Sequence, residues 1–172
     1  MSVNQHFLEK VHPVSAIVPV NMQTGANNGD WVSLKDYGRC AIVFFAALDS
    51  TSTDAPTLTL SQAKDVSGTS SKGLTFTRAD YVESTALTAG DTFTTVTQAA
   101  ASTFSVTGSG GLQKIWVVDI KAEDLDIANG FCCLQAAVTD AGTTAHTQLG
   151  CALYMLHEPR YEAVPDPSAT VN

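Results

Sequence analysis

Charged residues are scarce in this sequence: Asp, Glu, Lys and Arg make up 15% of 172 residues, with nine cations against seventeen anions and a net charge of -8. With so few Lys and Arg there is no positive excess to neutralise phosphates, so direct nucleic-acid binding is not expected. No run of eighteen apolar residues occurs, which removes a transmembrane helix from the expectation. The first fifteen residues carry Glu9 and no continuous apolar stretch, so they do not read as a secretory signal. The expectation is a protein made in the cytosol, with no membrane partner.

The motifs of common chemistries are missing too. Cys40, Cys132, Cys133 and Cys151 lie in apolar, strand-like runs without CxxC spacing, so they read as reduced core thiols, the adjacent pair pointing to opposite faces. His6, His12, His146 and His157 make no HxH or HExxH pattern. Asp119, Glu123, Asp124 and Asp126 lack the spacing of a calcium loop and read as a solvated acidic turn. Gly108 to Gly111 lacks the Lys-Ser/Thr of a phosphate loop, and no GxSxG elbow occurs. No catalytic residue, metal or cofactor is assigned, and no enzyme is expected.

Strand signals are plentiful. From Cys40 to Leu48 the chain is uncharged, with Ile42-Val43-Phe44-Phe45 at its centre. Nine residues is short for a globular helix, and the β-branched and aromatic content favours a strand apolar on both faces and covered on both. Trp31 to Leu34 predicts a short strand leading into it through a turn at Asp36-Tyr37-Gly38. Val14 to Val20 predicts a first strand, placed at a sheet edge by Pro19. Thr57 to Lys64 alternates with Leu58 and Leu60 inward, and Ile115 to Ile120 is a further strand. Phe131 to Val138 and Leu149 to Leu156 suggest a hairpin with a medium loop. Segments around Phe76 to Val82, Phe93 to Thr97 and Phe104 to Val106 read as short decorating strands, and Ala122 to Asp126 as one helical turn.

Seven or eight strands with almost no helix predict an all-β protein, an antiparallel β-sandwich of jelly-roll or Ig-like topology with extended N- and C-terminal arms. The expected division is an arm over 1–12, a sandwich over 13–158 with a loop and short-strand insertion at 74–111, and a tail over 159–172. Trp31, Ile42, Phe44, Trp116, Val118, Leu134 and Leu153 are the expected core, with Phe45 and Phe131 also read as core. Phe7, Phe104 and Tyr161 fall in arms or loops, and with Leu8, Val11 and Arg160 they form the expected partner-contact set.

The arm, the Val14–Val20 strand, the Trp31-x-x-Leu34-x-x-Tyr37-Gly38 passage and the Pro159-Arg160-Tyr161 exit before Pro167-Ser168 together resemble the decoration, or cement, proteins of tailed-bacteriophage heads. The resemblance covers both ends, about half of the chain; residues 74–111 lie outside it. It implies a structural virion protein on the capsid exterior that binds the major capsid protein and stabilises contacts between its subunits, with sister copies as dimer or trimer partners. A tail or head–tail connector subunit and a carbohydrate-binding β-sandwich are the alternatives; the latter should expose Trp or Tyr beside polar groups.

Overall fold

A computed structural model of the chain describes residues 7–23, 25–47, 56–84, 87–88, 91–105, 113–139 and 147–160. The chain order is α1 (Phe7–Lys10), β1 (Val11–Asn21), β2 (Asn27–Asn28), β3 (Val32–Ser33), β4 (Tyr37–Ala47), β5 (Thr57–Ala63) and β6 (Lys72–Gly73). It continues through β7 (Phe76–Ser84), β8 (Thr94–Ala101), β9 (Thr103–Ser105), β10 (Gln113–Lys121), β11 (Cys133–Thr139) and β12 (Leu149–Pro159). Two 3-10 turns, Ala122–Asp124 and Ile127–Asn129, lie between β10 and β11.

The strands form an all-β antiparallel sandwich. Sheet A has the order β1-β12-β4-β10-β7-β8; sheet B has β2-β11-β5-β6, with β3 also on β11 and β9 also on β5. Counting β2 and β3 as one position, and leaving out β7, β8 and β9, the sheets read 1-8-3-6 and 2-7-4-5. That is the jelly-roll winding of two Greek keys. An Ig-like sandwich would instead place its first, second, fifth and fourth strands together. β7 and β8 then widen sheet A beyond β10, and β9 shares the edge of β5 with β6.

Alternation builds the core. On β10 the buried positions are Lys114, Trp116, Val118 and Ile120, and on β4 they are Tyr37, Cys40, Ile42, Phe44 and Ala46. Trp116 is fully buried, 4.8 Å from the Phe44 ring and 6.1 Å, edge-on, from Phe104. Leu58, Leu60, Leu134 and Val138 close the core from sheet B. The two sheets are also joined by polar bonds where β11 lacks a neighbour. Its outer edge pairs with β3 at Cys133–Leu134 and with β2 at Ala137–Val138. In the gap, the Ala136 N–H donates to the Tyr154 hydroxyl at 2.7 Å, which donates on to the Asp30 carbonyl at 2.9 Å. The Gly29 N–H reaches the Ala136 carbonyl at 2.9 Å, an approach so close that a Cβ on Gly29 would lie 2.7 Å from that oxygen.

Several expectations are corrected. Phe131–Val138 and Leu149–Leu156 do not form a hairpin: β11 belongs to sheet B and β12 to sheet A, because the connection crosses the sandwich. Tyr37 and Gly38 are inside β4, with Tyr37 only 4% exposed, rather than in a turn before it. The first strand begins at Val11, inside the expected arm, and Phe7–Lys10 forms a helical turn ahead of it. Trp31 is half-buried, packed so closely on Gly68 (φ +77) that a Cβ there would lie 2.7 Å from the indole nitrogen. Leu153, at 42% exposure, and Phe45, at 41%, are not core. Both stand on the outer face of sheet A, which the two-faced apolar run predicted to be covered.

Candidate protein-binding interface

Residues paired across neighbouring strands share a face, so the register of sheet A maps its outer surface row by row. Cys151, Phe45, Ile115 and Val82 form one row, and Leu153, Val43 and Val117 the next. Met155, Ala41 and Asp119 follow, and then His157, Arg39 and Lys121. Phe45 and Leu153 are exposed, Val43, Ile115, Val117, Cys151 and Met155 are half-buried, and Val82, at the β7 end of its row, is buried. At the opposite end lie Leu149, 56% exposed, Ala47 and Gln113. The centre of this face is thus apolar over three strands, an unusual surface for a chain with nothing else to bind.

Charge confines it. The Arg39 guanidinium donates to the Asp119 carboxylate, with Nε at 3.0 Å, and this bond holds the Arg39 pKa above its usual value. His157 Nε2 lies 3.4 Å from the other Asp119 oxygen, and Lys121 Nζ lies 3.1 Å from Glu123. On β7, Arg78 grips Asp80 through both guanidinium and carboxylate ends, and with the Thr95 hydroxyl it lowers the Asp80 pKa. Exposed pairs of this kind contribute at most about 1 kcal/mol each, so they shape the rim more than they stabilise the fold. An apolar centre inside a mixed-charge rim is the anatomy of a protein–protein contact.

The residues expected to touch a partner divide. Phe7 and Leu8 sit on α1, 58% and 70% exposed, and Val11 is half-buried opposite His157. Arg160 is exposed just beyond β12, its N–H donating to the Asp36 carbonyl at 2.9 Å. Because β1 and β12 run antiparallel, the start of one lies beside the end of the other, and Phe7, Leu8, Val11 and Arg160 share one end of sheet A, next to the Arg39 row. Arg160 and Lys35 there flank an apolar cavity of about 130 Å³ lined by Leu34, Leu125 and Phe131. Phe104 is corrected: it is 4% exposed, and β9 docks it under Trp116 on β5. Tyr161 lies outside the described residues.

The acidic cluster does not converge. Asp119 serves Arg39, Glu123 serves Lys121, Asp124 accepts the Lys121 N–H at 3.0 Å, and Asp126 binds Lys72 and Asn129. The Lys72 and Asn129 contacts lower the Asp126 pKa. Among the described residues no group of three or more His, Cys, Asp or Glu side chains is placed to hold a metal. All four cysteines are free thiols. Cys132 precedes β11 rather than alternating within it, so its sulfur turns to within 3.7 Å of Cys133, correcting the opposite-face expectation. Burial and this neighbour push the Cys133 pKa up to about 12.

Sequence reasoning missed the outer face of sheet A, although a signal was present: Phe45 and Leu153 both occupy the second phase of a two-residue alternation. Lys114 was missed as well, fully buried on the inner row of β10 with Nζ 3.1 Å from Glu83. No family model and no curated protein matches this chain.

Proposed function

We propose that this protein is a structural virion component, a decoration protein that binds the exterior of a tailed-phage capsid and stabilises contacts between major capsid subunits. The observation that carries the reading is the outer face of sheet A, with its unbroken apolar rows through Phe45 and Val43 inside a rim of paired charges. Such a face gains by being covered, because each apolar Å² removed from water contributes about 25 cal/mol. Rims of Arg39, Asp119, Lys121 and Glu123 keep a displaced register from matching, so they select rather than drive the contact. Phe7 and Leu8, at the same end of the sheet, add apolar anchors outside the sandwich core. The resemblance of both chain ends to cement proteins supplies the class of partner.

Capsids lacking the protein, mixed with purified chain and sedimented, test the reading. Wild type should co-sediment, and Phe45→Lys with Leu153→Lys should weaken attachment at least about tenfold while leaving the fold intact. Removal of residues 1–10 should weaken it further without unfolding the sandwich, since β1 begins at Val11. Undiminished co-sedimentation of the double variant would remove the sheet face from the mechanism. Assembly of tubes or rings without capsids would point to a tail or connector subunit.

A further inference from the structure

The four edges of the sandwich are not protected alike. A sheet edge exposes unpaired N–H and C=O groups that invite another strand, and proteins blunt such edges with short strands, prolines, bulges or charge. In sheet B the edge strands β2 and β6 have two residues each, β3 two and β9 three. In sheet A, β1 is long but contains Pro13 and Pro19 and breaks register twice against β12. β8 has few such devices. It is eight residues, Thr-Thr-Val-Thr-Gln-Ala-Ala-Ala, without proline or charge, and among the described residues it pairs only with β7. From Thr94 to Thr97 that pairing is regular; the single irregularity comes after Thr97, where Gln98 Nε2 binds the Phe76 and Thr103 carbonyls.

We propose that β8 pairs antiparallel with the β8 of a second copy about a two-fold axis normal to the sheet. The strand itself selects the occupant. Each copy carries a net charge of -8, and this uncharged edge lets two copies approach closely. Centring the axis on Val96 places Val96 beside the partner's Val96 and Thr95 beside the partner's Thr97. The Val96–Val96 and Thr95–Thr97 rungs then match β-branched residues on the same face, Thr94 meets the partner's Gln98, and no like charges are opposed. Thr97 is paired with Arg78 and Thr95 with Asp80, so each such row runs from Arg78 through Thr97 and the partner's Thr95 to the partner's Asp80. Opposite charges close it at either end. Phe93, 54% exposed one residue before β8, extends the contact beyond the ladder. The two six-stranded sheets become one, and an axis normal to the sheet keeps both outer faces on the same side. If the capsid reading above holds, the pair would offer its partner a doubled face.

Sedimentation velocity of the full chain without capsids separates this inference from that reading. Wild type should be dimeric at about 100 µM, and Thr97→Lys, which sets new cations on either side of the axis, should raise the dimer Kd about tenfold or more. Val18→Lys, on the exposed opposite edge, should leave it unchanged. Hydrogen exchange should show the alternate amides of Thr94–Gln98 that point away from β7 slowing as wild-type concentration rises, a readout that holds even if the lysine variant folds poorly. A monomer at that concentration, or a dimer with concentration-independent exchange in β8, would overturn the proposal.

Discussion

Replacing Tyr154 with Phe tests the account of how the two sheets are joined. The side chain is fully buried on the inner face of β12, and its hydroxyl fills the opening between β2 and β3 along β11. Phenylalanine keeps the ring packing and removes only the oxygen. The Ala136 N–H and the Asp30 carbonyl both lose their partner. Each hydrogen bond contributes about 1 kcal/mol net, and a buried orphan donor costs about 1–3 kcal/mol beyond that. Ala136 is fully buried and its bond to Tyr154 lies in the interior, whereas the bond to the Asp30 carbonyl is only partly buried, so the larger penalty falls on Ala136. The expected loss is about 2–4 kcal/mol. Urea unfolding followed by the fluorescence of Trp116, which is buried beside Phe44, would measure it. A pH series adds a second reading. Burial holds the Tyr154 hydroxyl neutral by raising its pKa above the ordinary tyrosine value. Above about pH 10 the unfolded chain releases that proton while the folded chain retains it, so wild-type stability should fall with rising pH there, and the variant should lose that part of the slope. A loss below about 0.5 kcal/mol with an unchanged alkaline slope would refute the clamp.

Phe44→Ala removes a fully buried ring against Trp116 and should cost about 3–5 kcal/mol, whereas Phe45→Ala on the outer face should cost less than half as much. Parallel denaturation curves decide this, and equal losses would mean that the inside and outside of β4 are misassigned. Alkylation of the denatured chain without prior reduction should modify four cysteines, matching four free thiols. In the native protein, half-buried Cys132 and Cys151 should react well before Cys40 and Cys133, whose burial raises their pKa. Mass spectrometry finding only two modifiable sites after denaturation would indicate a disulfide.

The sequence by itself determined that this is a β protein and which residues alternate. Leu58 and Leu60 turn inward on β5, Ile42 and Phe44 on β4, and Trp116 and Val118 on β10, because a strand's period of two is written directly in its residues. The edge position of β1 was legible too, since a proline has no N–H for a ladder. Tertiary structure alone decided which strands became neighbours. β11 and β12 follow one another in the chain yet lie in opposite sheets, because a ladder needs a partner edge and sequence adjacency does not name it. It also decided what covers each face. Phe104 is in a three-residue strand with no pattern to place it, and only the docking of β9 on β5 brings it under Trp116. Phe45 and Leu153 are as apolar as their buried neighbours, but no periodicity states whether a second layer stands beyond them. Among the described residues the second layer lies on one side of sheet A, and Phe45 and Leu153 stand exposed on the other.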